Sequence, residues 1–269
     1  MVPAATSVTR RLLLASATSL LLLACLPASA ADRLVAAQAR GTLHVAMMET
    51  YPPFSFLDPK TRQIIGYDAD VAQLLGTHLG LKVVVVPTIW TDIIPGVVAG
   101  KYDLAINQVS ITARREAVVD FSDPYTYSST QLILRSNDEA DYSSLADLKG
   151  KTVGVARNTI FETQVRAVPG VIVRSYPGWA ENLQDLVFGR TDASLNDSLM
   201  VAWMLRHSTL PLKAGPLVGI GGRIGIAIQK GNPQLKAAID LALRQAQADG
   251  SLARLSRKWF EVDASRPFP

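Results

Sequence analysis

A run of four valines in KVVVVP, residues 82–87, restricts the fold more strongly than any other part of the chain. A strand that is apolar on both faces is typical of a parallel sheet covered by helices on each side. Further apolar runs lie at residues 42–48 and 103–106. Helix patterns at residues 67–79 and 93–99, the second with Thr91 as its predicted cap, separate the three runs. This β-α-β-α-β order predicts an α/β fold built on a parallel sheet.

A second series of strands and helices follows in the other half of the chain. Strands are predicted at residues 131–135, 152–156, 171–176, 193–196 and 224–229. Helices are predicted at residues 181–188, 234–248 and 252–260, with a helical turn at 145–149 and two more helices beginning at Thr159 and Asp197. With 269 residues, 48% of them apolar, the chain can form one large domain or two smaller ones.

Aromatic and polar side chains follow three of the predicted strands directly. Tyr51 and Trp90 come just after two of them, and Asn107, Gln108 and Ser110 follow the third. In open α/β sheets, ligands bind beyond the carboxyl ends of the strands. The sequence therefore predicts a ligand site at this edge of the sheet.

Charged and polar residues that follow predicted strands indicate what such a site could bind. Arg114 and Arg115 follow the third strand, and a guanidinium matches a carboxylate with two parallel hydrogen bonds. The alternative is that both arginines are solvated residues opening a helix. Thr159 begins a helix whose free N–H groups favour an anion. Asp197 begins another, where it is either a ligand contact or only an N-cap.

The first thirty residues predict an export signal. Arg10 and Arg11 precede an apolar run over residues 12–26, and the small residues ASA at 28–30 make a cleavage site. Two alternatives stay open. The residues before Cys25 resemble a lipoprotein box, which would leave a lipid-anchored protein, and the two arginines resemble a twin-arginine signal. Each of these predicts an exported, periplasmic protein.

Composition excludes several classes of function for the mature chain. Removing the leader takes away two of the 27 basic residues, which leaves 25 basic against 23 acidic residues and no Lys/Arg block that would indicate nucleic acid as a partner. Cleavage after Ala30 would remove Cys25, the single cysteine, and would thereby exclude disulfides and cysteine sites. The three histidines lie in separate predicted elements, so we expect no metal site and no cofactor.

Short motifs in a fixed order along the whole mature chain resemble the bacterial periplasmic amino-acid-binding proteins, the extracellular solute-binding family 3 that serves ABC importers. The motifs are TYPPFSF (50–56), GYDAD (66–70), GKYD (100–103), SIT (110–112), DFSDPY (120–125), DLKGK (147–151), DGS (249–251) and KWF (258–260). The resemblance implies a two-lobed Venus-flytrap fold of type II with two crossing hinge strands. Lobe 1 would comprise residues 31–124 and 225–269, lobe 2 residues 130–219, and the hinges residues 125–129 and 220–224.

The same resemblance implies how a zwitterionic amino acid would be held. By position, Tyr51 and Trp90 stack on the ligand, Arg115, Ser110 and Thr159 bind its α-carboxylate, and Asp197 binds its α-ammonium group. Arg115 and Asp197 would then belong to different lobes, so that only a zwitterion satisfies both on closure.

The side-chain pocket is the part that departs from the family pattern. Met48 stands where many relatives have an acidic residue, which argues against lysine, arginine or ornithine, and Glu49 next to it is expected to point the other way. Arg157 favours an acidic or polar ligand side chain. Trp90 together with Asn107 and Gln108 is most similar to the cystine-binding branch, so we expect cystine.

These features predict a monomeric, non-enzymatic receptor that delivers a polar L-amino acid to a membrane permease. One alternative is a periplasmic dehydratase of the cyclohexadienyl or arogenate type, a class that resembles this family. Its general acid would be Glu162, although that residue also reads as an exposed part of a helix. A sensory amino-acid-binding module is the other alternative.

Overall fold

A computed structural model describes residues 32–219 and 222–267. The predicted export signal, Cys25 and the residues 220–221 of the second predicted hinge lie outside the described residues. Within the described part, no helix has the length and apolar character needed to cross a membrane.

Helices and strands alternate through the described residues. The helices are α1 (Arg33–Arg40), α2 (Tyr67–Leu79), α3 (Ile93–Val98), α4 (Ala113–Glu116), α5 (Ile160–Arg166), α6 (Trp179–Val187), α7 (Ser198–His207), α8 (Pro233–Ala248) and α9 (Ser251–Phe260). The strands are β1 (Thr42–Met47), β2 (Thr50–Tyr51), β3 (Ser55–Leu57), β4 (Ile64–Ile65), β5 (Lys82–Pro87), β6 (Leu104–Ala105), β7 (Val119–Phe121), β8 (Thr126–Ser128), β9 (Thr130–Arg135), β10 (Thr152–Ala156), β11 (Ile172–Tyr176), β12 (Ala193–Asp197), β13 (Leu212–Leu217), β14 (Gly222–Ile224) and β15 (Ala227–Gln229). Single 3-10 turns occupy Trp90–Asp92 and Leu145–Leu148.

The first five-stranded sheet has the order β5-β1-β6-β15-β7. β1 pairs in parallel with β5 and β6, as the valine run predicts. β15, from near the end of the chain, inserts between β6 and β7 and is antiparallel to both. The parallel pairing predicted for the first three strands is therefore confirmed, and the sheet gains antiparallel pairings where the chain returns to it from the opposite direction.

The second five-stranded sheet has the order β11-β10-β12-β9-β13. β10 is parallel to β11 and β12, and β9 is antiparallel to β12 and β13.

Between the sheets the chain passes through β8 on the way out and β14 on the way back, and these two strands pair with each other. The fold is thus α/β with two lobes and two crossing strands. The residue limits of the lobes and hinges stay a prediction.

Several local predictions were wrong. Residues 224–229 belong to two strands rather than one, because β14 pairs with β8 whereas β15 pairs with β6 and β7. Thr91 does not cap α3, since it lies inside a 3-10 turn and Asp92 occupies the cap position without a side-chain bond. α1 and β13 were missed.

The carboxyl ends of β1 and β6 are anchored in the core. Met47 at the end of β1 and Ile106 just after β6 are fully buried. The polar residues that follow β6 therefore begin at a fixed point of the sheet. Rigid strand ends of this kind position the loop residues described next.

Candidate functional site

A cavity that is open to solvent lies between the two lobes. It is lined by Met48, Tyr51, Trp90, Gln108, Ser110, Arg115, Ala156, Thr159, Ile160, Phe161, Pro177, Gly178, Trp179, Leu195, Asn196 and Asp197. Seven of the nine predicted site residues are in this set. The other two, Asn107 and Arg157, are not.

Arg115 is the cation of the cavity. Thr112 caps α4, and the guanidinium of Arg115 donates from Nη1 to the carbonyl of Ser110 at 2.8 Å and lies 5.2 Å from the ring centroid of Trp90. No ion pair among the described residues includes Arg115. Burial, and then repulsion from Arg114, lower the pKa of Arg115 to about 10. A half-buried cation without a carboxylate partner among the described residues is suited to an anionic ligand group.

Trp90 and Arg115 also reach across the cavity to the turn that follows β10. Trp90 Nε1 donates to the carbonyl of Arg157 at 3.1 Å, and Arg115 Nη2 donates to the carbonyl of Asn158 at 3.3 Å. The side chain of Arg157 is exposed. Arg157 is therefore placed to hold Trp90 through its backbone, and its side chain does not line the cavity.

Thr159 is the N-cap of α5, as predicted. Its hydroxyl oxygen accepts from the backbone N–H of Glu162 at 3.2 Å, and the hydroxyl donates to the carbonyl of Ala156 at 2.6 Å. The hydroxyl proton is thus engaged within the chain. The cap places Thr159 at the cavity wall facing Ser110 and Arg115.

Asp197 is the carboxylate of the cavity and is 4% exposed. Its Oδ1 accepts from the backbone N–H of Leu199 at 2.9 Å, which caps α7, and Oδ2 accepts from the hydroxyl of Ser128. Burial raises the pKa of Asp197 to about 6, although these hydrogen bonds oppose the rise. Asp197 therefore caps α7 and also lines the cavity, so its role as an N-cap is compatible with a contact to a ligand.

Tyr51 and Trp179 also form hydrogen bonds between the two walls of the cavity. Tyr51 Oη donates to Oδ1 of Asn196 at 3.0 Å, and Trp179 Nε1 donates to the carbonyl of Thr50 at 2.5 Å. Sequence reasoning missed Trp179, Asn196 and Phe161. Trp179 follows strand β11 in the way that Trp90 follows β5, so the strand-end rule could have found it.

Asn107 lies behind the cavity wall. It is fully buried, and its Oδ1 accepts from the backbone N–H of Met48 at 2.7 Å and from the hydroxyl of Ser55 at 3.2 Å. It therefore fixes the segment after β1, which brings Met48 to the cavity. Glu49, as expected, is exposed and does not line it.

Glu162, the candidate general acid, is not among the residues that line the cavity. Its carboxylate accepts from Arg166 at 2.8 Å, from the backbone N–H of Asn158 at 2.7 Å and from the hydroxyl of Ser175. Burial alone would raise the pKa of Glu162, but these hydrogen bonds outweigh it and hold the pKa below its usual value. An ionised, fully engaged carboxylate is poorly suited to protonating a leaving group.

The fold and the cavity between its lobes define a two-lobed, type II solute-binding protein. The chain belongs to the bacterial extracellular solute-binding proteins, family 3, whose sequence profile matches residues 43–262. It is 37% identical to the L-cystine-binding protein TcyJ of Escherichia coli strain K12, over 84% of this chain and 85% of that protein. It is 32% identical to the L-cystine-binding protein TcyA of Bacillus subtilis strain 168, over 84% of each.

Solved structures agree with this assignment. The ancestral amino-acid-binding protein AncCDT-1, described as a precursor of cyclohexadienyl dehydratase, superposes with a TM-score of 0.79 at 34% identity, covering 86% of this chain and 100% of that one. An ancestral arginine-binding protein bound to arginine superposes with a TM-score of 0.77 at 35% identity, covering 82% and 99%.

Proposed function

We propose that this protein binds a polar L-amino acid in the interlobe cavity and delivers it to the membrane permease of an ABC importer. The observation that carries the proposal is the placement of Arg115 and Asp197 on opposite walls of one cavity. A free amino acid presents a carboxylate to the first and an ammonium group to the second.

The two charges also explain how binding would be coupled to closure. Arg115 follows β6 of the first sheet and Asp197 ends β12 of the second. A zwitterion that bridges them favours the closed arrangement by its differential affinity for that state. We place the hinges at residues 125–129 and 220–224, between lobe 1 (31–124 and 225–269) and lobe 2 (130–219).

The rest of the cavity favours a ligand side chain without net charge. Arg115 and Asp197 are the only Asp, Glu, Lys, Arg or His residues among those that line it, and the remaining wall includes Met48, Phe161 and Trp179. Cystine has a side chain without net charge, because the ammonium and carboxylate groups beyond its disulfide cancel, and in net charge it fits this description better than arginine or glutamate. The likeness to two cystine-binding proteins supports the same choice.

We further propose that the protein acts in the periplasm, after export by its leader, as a monomer and without catalysis. A dehydratase on the same scaffold is the second candidate, because one structural neighbour is described as a precursor of such an enzyme. The engaged, ionised state of Glu162 argues against it. The third candidate is a sensory protein that binds the same ligand.

A thermal-shift screen of the unfolded and refolded mature protein tests the proposal. Refolding removes amino acids retained from the cell. A ligand at a hundred times its dissociation constant adds about 2.7 kcal/mol, which is a shift of roughly 5–10 °C for a chain of this size. We expect a shift with cystine and none with arginine or glutamate. A flat panel of amino acids would contradict the proposal, and turnover of dehydratase substrates would establish the alternative.

Ligand affinity is expected to depend on pH through Asp197. An ammonium group beside this carboxylate lowers its pKa from the ligand-free value of about 6, because it favours the charged form. Binding is then at full strength above that value and weakens by about tenfold between pH 7 and pH 5, as titration calorimetry would measure. Equal affinity at the two pH values would contradict this.

In the ligand-free protein, the contribution of Asp197 to folding stability should decrease as the pH rises. A folded pKa raised above the unfolded one means that Asp197 stabilises the fold while protonated. That contribution is complete below about pH 4 and is lost as the pH rises through the folded value. The thermal shift caused by the ligand should therefore increase with pH. Over the same range, the contribution of Asp197 to the melting temperature of the ligand-free protein should decrease.

A further inference from the structure

Two tryptophans that line the cavity each donate a hydrogen bond to the opposite lobe. Trp90 follows β5 of the first sheet, and its Nε1 donates at 3.1 Å to the carbonyl of Arg157, which follows β10 of the second sheet. Trp179 follows β11 of the second sheet, and its Nε1 donates at 2.5 Å to the carbonyl of Thr50, which follows β1 of the first sheet. The two bonds are therefore reciprocal, because each lobe supplies one indole and one carbonyl.

Both bonds depend on the distance between the lobes. An indole N–H is a single donor, so each tryptophan can bond to its carbonyl only while the two lobes are close together. Both side chains are half-buried, which means that water replaces the lost partner once the lobes separate. The net contribution of each bond to lobe closure is therefore modest, about a factor of five in the equilibrium constant. Since both partners belong to the chain, this factor does not depend on a ligand atom.

The bond from Trp90 lies at the boundary between the cavity and an outer groove that is open to solvent. The cavity and the groove share the lining residues Trp90, Arg115, Thr159 and Ile160. The hydrogen bond from Trp90 to Arg157 therefore crosses the wall between them. Trp179 lines the cavity but not the groove, so the second bond joins the lobes at a different part of the cavity wall.

We propose that the hydrogen bonds from Trp90 to Arg157 and from Trp179 to Thr50 are clasps that hold the lobes together over the bound ligand and set the rate of its release. This inference rests on the proposed function. A ligand enters while the lobes are apart, before either clasp exists, and leaves only after both clasps have broken. The clasps therefore lower the dissociation rate constant and leave the association rate constant unchanged. In this role both tryptophans are positioning residues, since they act on the lobes.

Trp179→Phe tests the inference by rapid filtration of the protein with radiolabelled cystine. Phenylalanine keeps an aromatic ring in the cavity wall but has no donor. We expect the dissociation rate constant to rise about fivefold and the association rate constant to stay within about twofold of wild type. Trp90→Phe should have the same effect. The double variant should release cystine about twenty-five-fold faster, because the two clasps share no partner and their effects multiply.

Benzothienylalanine in place of Trp179 separates loss of the clasp from loss of ring contacts. This amino acid has the two-ring shape of tryptophan, with sulfur where the indole has its N–H. It keeps the contacts that the ring makes with the cavity and with a ligand, and it removes only the donor. We expect the same fivefold rise in the dissociation rate constant as for Trp179→Phe. The inference therefore remains testable if the phenylalanine variant fails to fold.

Trp259→Phe is the matched control. Trp259 of α9 donates from Nε1 to Oδ2 of Asp70 in α2 at 2.7 Å, and it lines neither the cavity nor the groove. Both of these residues belong to the proposed lobe 1, so their bond is retained when the lobes separate. The variant loses the same kind of indole hydrogen bond and should keep both rate constants within about twofold of wild type.

The rate constants distinguish this inference from the proposed function. The clasps are overturned, and the proposed function is retained, if benzothienylalanine leaves the dissociation rate constant unchanged or if Trp259→Phe raises it as much as Trp179→Phe does. A slower association at unchanged dissociation would overturn them as well. Failure of the wild-type protein to bind cystine or any other amino acid overturns the proposed function, and the clasps with it.

Discussion

Replacing Arg115 with methionine is expected to weaken amino-acid binding by roughly a thousandfold. The ligand carboxylate would enter the cavity with no cation to pair with, and an unpaired buried charge costs about 3–5 kcal/mol. The fold should survive, because burial already lowers the pKa of Arg115 and so disfavours its charge in the ligand-free protein. Titration calorimetry measures the loss of affinity, and circular dichroism verifies the fold.

Arg114→Met is the matched control for this experiment. Arg114 is the adjacent residue of α4, it is exposed, and it does not line the ligand cavity. Its replacement removes the same charge one residue away and should leave affinity within about twofold of wild type, since exposed charges contribute little. Wild-type affinity in Arg115→Met, or equal losses in the two variants, would show that Arg115 does not bind the carboxylate.

The parts of the fold that the sequence predicted are those in which local pattern and tertiary packing agree. The valines of β5 pair in parallel with β1, and α2 occupies the predicted residues 67–79. Asp197 ends β12 and caps the helix after it, as the polar residue following an apolar run indicated. In each case the signal lies within a few residues of the element that it describes.

The failures arise where distant segments decide the outcome. β15 joins the first sheet from the far end of the chain, so no local pattern could reveal its antiparallel pairing with β6 and β7. Residues 224–229 are all compatible with one strand, yet the pairing partner changes within them, from β8 for β14 to β6 and β7 for β15.

The candidate site shows the same difference between what local sequence patterns predict and what contacts between distant segments decide. The strand ends predicted that Tyr51, Trp90 and Ser110 lie close together, and all three line one cavity. The side chain of Arg157, expected from the family pattern to favour an acidic or polar ligand, is exposed and is not among the residues that line it. No local pattern in the sequence indicates what the buried carboxylate of Asp68 contacts. Its contact with Gln108, forty residues further along the chain, is visible only once the two elements are packed together.

Asp197→Asn is expected to weaken cystine binding by at least a hundredfold, and to weaken binding of a deaminated analogue that lacks both α-amino groups of cystine by less than about threefold. The variant removes the charge that faces the ammonium group, and a broken charge-assisted hydrogen bond in a closed cavity costs about 3 kcal/mol. Asparagine also caps helices well, so α7 should remain intact.

Asp197→Ser separates the two roles of this residue more sharply. Serine retains an N-cap oxygen for α7 but is shorter and uncharged, so it should bind the amino acid no better than the asparagine variant. Melting temperature reports the cap, and the affinity ratio between the amino acid and its analogue reports the ammonium contact. If both variants lose affinity for the two ligands in equal proportion, Asp197 is only a cap. If the ratio alone collapses while the melting temperature holds, the same carboxylate both begins α7 and recognises the ligand, and loss of the pH dependence in these variants would identify it as the titrating group.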